Sequence, residues 1–147
     1  MTTELSRAES DTLLRESGVG VLALTDSTEA YSIPESFGYD GETLYFQSVY
    51  TPESKKMAFL EPTETATFTV YDEQPAKSVI VSGTLEPVPE DEEPKAATAI
   101  TENASIPTLN VYPDTKPDEF AVDYYRLIPN SITGRQFNAF TPAPNDQ

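Results

Sequence analysis

Short runs of β-branched and aromatic residues, separated by turn residues, are the feature that most limits the folds open to this chain. The clearest runs are Val19–Thr25, Thr43–Val49, Thr65–Tyr71 and Ser78–Glu86. Asp40-Gly41 is a strong signal for a hairpin turn before the second run. Because most connections between the runs are short, antiparallel pairing is favoured. The chain therefore predicts a mainly β fold, a closed or nearly closed barrel of about six strands with peripheral helices.

Several strands carry further signals. The nearly continuous apolar run Val19–Thr25 predicts a strand buried on both faces. Tyr31–Tyr39 predicts a strand interrupted by Pro34, which implies an edge, a bulge or a bend. Gly83 marks a bulge or a close approach of two backbones. Phe120–Ile128 predicts the last strand.

Three helices are expected around this barrel. Ser6 and Glu9 have the spacing of a capping box, which opens a helix that ends near Gly18 and buries its leucines. Residues 51–60 predict a second, short helix with threonine and proline at its start. Residues 90–104 predict a surface helix with an acidic first turn, which suits the helix dipole. The 147 residues form one domain, 1–147, whose residues 137–147 are either mobile or lie across a partner.

Charge narrows the possible partners. The chain has 25 acidic and 9 basic residues, a net charge of −16. Such a surface repels nucleic acid and anionic membranes. Molar salt screens repulsion between surface carboxylates, and the composition resembles that of proteins from halophilic archaea. The N-terminus lacks a signal peptide and no run is long enough to span a membrane, so a cytoplasmic protein is expected.

Histidine and cysteine are absent, which removes whole classes of chemistry. Without them the chain can form no Ser-His-Asp triad, no thiolate nucleophile and no His- or Cys-ligated metal site. The carboxylates show no paired catalytic pattern, and most are expected to be solvated. We therefore predict no catalytic side chain and no metal site. If the protein is an enzyme, a cofactor must supply the chemistry.

Three segments are candidates for binding such a cofactor. In Ser32-Ile33-Pro34-Glu35-Ser36, proline withholds a ladder hydrogen bond, so nearby backbone groups could face a flat polar ring. The alternative is an edge-strand proline that prevents aggregation. In Ser78–Gly83, Ser78 could bond a ligand at the strand end, although ordinary strand chemistry also explains the run.

The remaining segment combines a strand end with the start of a helix. Phe46, Gln47 and Ser48 are followed by Ser54, Lys55 and Lys56. Free helical N–H groups, hydroxyls and two ammonium groups would make a reasonable phosphate-binding site. The alternative is a solvated lysine pair that forms salt bridges with nearby glutamates.

Taken in order, these segments resemble the pyridoxamine-phosphate-oxidase-like, FMN-binding split-barrel proteins, especially their short nitroreductase-like branch. The resemblance rests on Gly18–Leu24, Ile33-Pro34-x-x-Phe37 with Asp40-Gly41, Leu44-Tyr45-Phe46-x-Ser48, Ser54-Lys55-Lys56 with Leu60, Ser78–Gly83, Tyr125–Pro129 and Ile132–Arg135. It implies a six-stranded antiparallel split barrel. It further implies a homodimer with two FMN molecules at the subunit interface.

The resemblance also implies roles for individual residues. Lys55 and Lys56 would grip the FMN phosphate, with Phe46, Gln47 and Ser48 beside them. Ser32, Ile33, Pro34 and Ser36 would follow the edge of the isoalloxazine ring, and Ser78 would contact the ligand from a neighbouring strand. Arg135 is a further candidate.

Two departures from the family pattern bear on activity. Gln47 stands where this branch often has histidine, which argues against a nitroimidazole reductase. The substrate-binding arginine and histidine pattern of pyridoxamine phosphate oxidases is missing from the C-terminal region. We expect an FMN-binding flavoprotein, an FMN-dependent oxidoreductase with a small-molecule partner. The alternatives are a non-catalytic flavin carrier or sensor, or a split barrel that binds a deazaflavin.

Overall fold

The computed structural model describes residues 2–50, 59, 63–103 and 121–138. In this part of the chain, two helices and a short 3-10 turn flank eight strands. The strands are β1 (Thr2–Glu4), β2 (Val19–Thr25), β3 (Ala30–Ser36), β4 (Gly38–Tyr39), β5 (Leu44–Tyr50), β6 (Thr65–Glu73), β7 (Ala76–Pro87) and β8 (Ala121–Phe137). The helices are α1 (Arg7–Glu16) and α2 (Glu93–Asn103), and the 3-10 turn spans Glu90–Glu92.

All eight strands belong to one antiparallel sheet. Its order is β3-β2-β6-β7-β8-β5-β4, with β1 added to β8. The sheet curls until β3, at one end, approaches β5 near the other end. This arrangement confirms the mainly β split barrel with peripheral helices. The short β1, which pairs with the end of β8, is an addition that the sequence patterns did not predict.

The first helix begins as predicted. The Ser6 hydroxyl accepts a hydrogen bond from the Glu9 N–H at 3.1 Å, and the Glu9 carboxylate accepts one from the Ser6 N–H at 2.9 Å. This capping box satisfies two N–H groups that the helix leaves unpaired. Leu13 and Leu14 are buried against the barrel. The C-cap is Ser17, one residue before the predicted Gly18.

The predicted Asp40-Gly41 hairpin is confirmed. The Asp40 carboxylate accepts hydrogen bonds from the N–H groups of Glu42 and Thr43 at 2.8 and 2.7 Å. Gly41 has a φ of 99°, which glycine adopts at little cost. Burial works to raise the pKa of Asp40, but the bonds from Thr43, Glu42 and Tyr45 outweigh it and lower that pKa. The hairpin thus brings β5 back beside β4.

The core fills the inside of the curled sheet. Phe68 lies at its centre, with ring centroids 4.7 Å from Phe37 and 5.1 Å from Phe46. Strand β2 alternates: Leu22 and Leu24 are buried, whereas Val19 is 39% exposed. The prediction that this strand is buried on both faces is therefore wrong for the single chain, because the sheet has its core on one side only.

The last strand is much longer than predicted. It continues nine residues beyond the expected end at Ile128 and includes Pro129, which pairs with Gly83 at a shift in the β7–β8 register. The predicted bulge at Gly83 is thereby confirmed, and it accommodates a proline that would otherwise interrupt the ladder. Phe137 pairs with Thr2, so it belongs to the sheet and not to a tail.

The other helix covers the outside of β4 and β5. It buries Ala96, Ala99 and Ile100 in a small apolar cluster with Tyr45 and Val88. The 3-10 turn before it completes the helix predicted over 90–104. Within the described ranges, neither helix has the length and apolar character needed to cross a membrane. Residue 59 aside, the helix predicted over 51–60 lies outside the described residues.

Candidate functional site

Part of the outer face of the sheet carries no acidic residue. Two cross-strand rows run from β3 through β2, β6 and β7 to β8. One row is Pro34, Val21, Thr69, Ile80 and Thr133, and the other is Ser32, Ala23, Thr67, Ser82 and Ser131. The adjoining pairs are Ser36 with Val19 and Tyr71 with Ser78, and Ser78 in turn pairs with Arg135. None of these residues is acidic, although the chain has 25 acids. We call the two rows, together with Ser36 and Val19, the charge-poor face.

The first candidate segment lies on β3, at the edge of the sheet. Ser32, Pro34 and Ser36 face outward because they pair with Ala23, Val21 and Val19. Ile33 lies between them and packs against the core. The edge position explains how Pro34 fits into a strand, since its missing N–H faces no neighbouring strand. The structure therefore presents three of the four β3 candidates on one side.

The second candidate segment lies on β5. Phe46 and Ser48 face the core and are 2% and 1% exposed, respectively. Gln47 points to the opposite side, where it pairs with Tyr124. Because the curled sheet brings β3 close to β5, these two segments approach each other although they are at opposite ends of the strand order. Of the β5 candidates, only Gln47 shares the outward side of the β3 residues, whereas Phe46 and Ser48 face the core.

One polar atom in this region is unsatisfied. Within the part of the chain that the structure describes, the Ser48 hydroxyl is the buried side-chain group without a hydrogen-bond partner. Leaving a buried hydroxyl unpaired costs about 1–3 kcal/mol. Such a group is explained if a bound molecule supplies its partner. The residues present therefore fit a polar ligand held at β5.

Ser78 is separated from the β3 segment along the sheet of one chain. Ser78 lies on β7, three strands from β3, which corresponds to about 14 Å at ordinary strand spacing. Gln47 and Ser78 are also far apart along the strand direction. They pair with Tyr124 and Arg135, which are eleven residues apart on β8. Lys55 and Lys56 lie outside the described residues.

Sequence reasoning missed the buried acid and the charge-poor face. Glu35, 9% exposed, points inward between outward-facing neighbours and pairs with Gly20 across the ladder. Strand alternation in Tyr31–Ser36 could have placed it there. The charge-poor face could have been read from the alternation of threonine and serine with apolar residues in Thr65–Tyr71 and Ser78–Ser82. Its extent depends on strand order, which no local pattern specifies.

A groove of about 460 Å³ lies elsewhere, between the end of α1, β4 and α2. The Arg15 guanidinium carbon is 5.5 Å from the centroid of the Tyr39 ring, and Lys95 Nζ is 3.7 Å from the Asp40 carboxylate. With Glu102, the lining contains equal numbers of acidic and basic groups. None of the predicted site residues lines this groove, so it is separate from the β3–β5 region.

Comparison with solved structures identifies relatives of the whole fold. A Corynebacterium glutamicum protein described as a pyridoxamine 5'-phosphate oxidase is 25% identical, with a TM-score of 0.70 over 95% of this chain and 100% of that chain. A FAD-binding protein from Mesorhizobium loti is 20% identical, with a TM-score of 0.72 over 95% and 98%. The FAD-binding protein from Mycobacterium smegmatis is 22% identical, with a TM-score of 0.70 over 94% and 100%.

Sequence comparison agrees with these structures. No curated protein matches the chain. Residues 6–136 match the family described as pyridoxamine 5'-phosphate oxidase, and this range includes every predicted site residue. The match spans both helices of the described part and most of β8, so it covers nearly the whole curled sheet. The chain therefore belongs to the pyridoxamine 5'-phosphate oxidase family.

Proposed function

We propose that this protein is an FMN-binding flavoprotein that acts as an oxidoreductase. The observation that carries the proposal is the unpaired, buried Ser48 hydroxyl on β5, a strand that β3 approaches across the curled sheet. Family membership supports it, as do the two relatives whose names state that they bind FAD. FMN is preferred because a lysine pair, Lys55 and Lys56, suits a terminal phosphate, as the resemblance implies.

The chain's own residues would bind and orient the flavin and would not supply a nucleophile. A bound flavin supplies hydride or electron transfer to a small molecule. Ser32, Pro34 and Ser36 would present backbone groups to the ring edge, and Ser48 would bond one of its polar atoms. Lys55 and Lys56 would hold the phosphate. Without histidine and without the C-terminal arginine and histidine pattern, oxidation of pyridoxamine phosphate is not the activity that we propose.

The flavin assignment is tested by loading the protein with FMN in about 2 M KCl, where carboxylate repulsion is screened. We expect a flavin visible spectrum, with FMN identified by mass spectrometry of the released molecule. Ser48→Ala should weaken FMN affinity about tenfold, because its hydroxyl loses the proposed partner. Thr101→Ala, on the exposed side of α2, should not. A colourless protein that takes up no FMN would contradict the proposal. If the released molecule were a deazaflavin, the cofactor would be a deazaflavin and not FMN.

We further propose that the protein is a homodimer joined through the charge-poor face. Two copies with a net charge of −16 repel each other wherever acidic surfaces meet, so association favours the face that lacks acids. Val19 and Ile80 on this face are 39% and 42% exposed, as expected of apolar residues that a partner covers. The dimer would also bring Ser78 of one copy towards the β3–β5 segments of the other.

Light scattering tests the dimer. Ile80→Asp places a carboxylate in the charge-poor face of both copies, so we expect it to convert a dimer into a folded monomer. Thr12→Asp makes a similar change on the exposed side of α1 and should leave the dimer intact. Circular dichroism verifies folding, and Thr69→Asp provides a second variant of the same face. A monomeric wild type would contradict the proposed interface.

A second candidate function is a non-catalytic flavin carrier or sensor. It is favoured by the absence of histidine and cysteine and by Gln47 at the position where the nitroreductase-like branch often has histidine. Steady-state turnover with NADH or NADPH and general electron acceptors separates the two. Bound FMN with no turnover would favour the carrier or sensor.

A further inference from the structure

Tyr71, Ser78 and Arg135 form a row across three neighbouring strands. Tyr71 pairs with Ser78 across β6 and β7, and Ser78 pairs with Arg135 across β7 and β8. All three side chains point outward, because the adjacent row of Val70, Val79 and Gly134 is buried. The row spans two strand spacings, about 10 Å. It therefore presents an aromatic ring, a hydroxyl and a guanidinium group side by side.

The guanidinium group of this row is available. Within the described ranges, Arg7, Lys95 and Arg126 form ion pairs, whereas Arg135 forms none. Its nearest strand neighbour with a carboxylate is Glu4, which pairs with Arg135 across β1 and β8 without an ion pair. Two other bases in the described ranges, Arg15 and Lys77, also form no ion pair. Arg135 differs from them in its place across the ladder from Ser78. Its charge can therefore serve an anion from outside the chain.

The aromatic member of the row is also exposed. Tyr71 is 62% exposed, the largest value among the large hydrophobic residues on the surface of the described chain. Aromatic side chains prefer offset stacking on a second ring, and a guanidinium fork matches the two oxygens of a carboxylate. The Ser78 hydroxyl, between them, can donate to the same carboxylate. The three groups together suit a planar aromatic acid.

We propose that Tyr71, Ser78 and Arg135 form a subsite for an aromatic carboxylate. The assignment of this ligand as a substrate rests on the proposed flavin function. Ser78 is the residue that the family resemblance places beside the flavin, so an acid held by its two neighbours would lie at the edge of the flavin pocket. The row lies where β6 turns into β7, next to the charge-poor face.

Two probes of similar shape, one negatively charged and one neutral, test this subsite. Equilibrium dialysis at fixed ionic strength measures the affinities of 4-nitrobenzoate and of neutral 4-nitrobenzamide for the FMN-loaded protein. We expect wild type to prefer the carboxylate about tenfold, as a charge-assisted bidentate contact allows. Arg135→Ala should abolish this preference, and Arg135→Lys should restore part of it. Glu4→Gln should strengthen it, because the nearest competing carboxylate is removed.

Arg15→Ala is the matched control. It removes an exposed arginine and changes the net charge equally, but it lies in the separate groove beside Tyr39. It should retain the wild-type preference. Equal affinities for the two probes in wild type, or an unchanged preference in Arg135→Ala, would overturn the subsite. FMN loading is measured separately by visible absorbance. If the protein does not take up FMN, the proposed function is contradicted. Dialysis with the flavin-free protein then still shows whether Tyr71, Ser78 and Arg135 bind the aromatic acid.

Discussion

Replacing both Lys55 and Lys56 with alanine is expected to weaken FMN binding by about 2–6 kcal/mol, or roughly 30-fold to more than 10⁴-fold. Each ammonium group would lose one charge-assisted contact with the phosphate, at about 1–3 kcal/mol per contact. The measurement is quenching of FMN fluorescence during titration at fixed salt. Because the lost contacts are electrostatic, the difference between wild type and variant should shrink as the salt concentration rises.

A second double variant separates phosphate binding from a general change in charge. Lys77→Ala with Lys95→Ala also removes two positive charges, but Lys95 lies 3.7 Å from the Asp40 carboxylate in the separate groove. Lys77 pairs with Asp72 and Gln136 where β6 turns into β7. We expect this control to retain most of its affinity for FMN. Equal affinities in the two double variants would show that the Lys55–Lys56 pair does not bind the phosphate.

Gly38→Ala is expected to lower the free energy of unfolding by about 3 kcal/mol or more. A β-carbon at Gly38 would lie 2.7 Å from the Ala99 carbonyl oxygen and even closer to the backbone of Ile100. Overpacking in a core costs about 1–3 kcal/mol, and here the obstacle is helix backbone that cannot change rotamer. The variant must therefore move α2 away from β4. Urea denaturation of variant and wild type measures the loss.

Ser32→Ala, on β3, is the control for the glycine variant. Its side chain points outward and is exposed, so alanine creates no close contact with helix backbone. We expect the free energy of unfolding to change by less than about 0.5 kcal/mol. If Gly38→Ala cost no more than Ser32→Ala, the close packing of α2 on β4 would be wrong.

Local chemistry was enough to predict the fold's elements where a few neighbouring residues determine the backbone. Ser6 and Glu9 satisfy each other's backbone donors, and Asp40 caps the turn at Gly41. Pro34 correctly indicated an edge strand, since proline lacks the donor that a central strand requires. In each case the interaction spans at most three residues. Such patterns can be read without knowledge of the tertiary structure.

Features that depend on distant partners were missed. The last strand continues past Ile128 only because the bulge at Gly83 accommodates Pro129, and these residues are far apart in the sequence. Likewise, Ser78 was a candidate site residue that ordinary strand chemistry also explained, and its distance from β3 follows from the order of the intervening strands. The roles that the family resemblance assigns to the candidate residues stay predictions, whereas the sheet shows on which strand and face the described ones lie.

The charge-poor face gives the proposed assembly an unusual dependence on ionic strength. Folding of each acidic chain is opposed by carboxylate repulsion, which added potassium chloride weakens. Contact through uncharged threonine, serine and aliphatic side chains places no carboxylates against each other, so its local strength depends mainly on the apolar area removed from water. The whole charge of each copy still acts at long range when screening is lost. Removing the salt is therefore expected to weaken folding and association together.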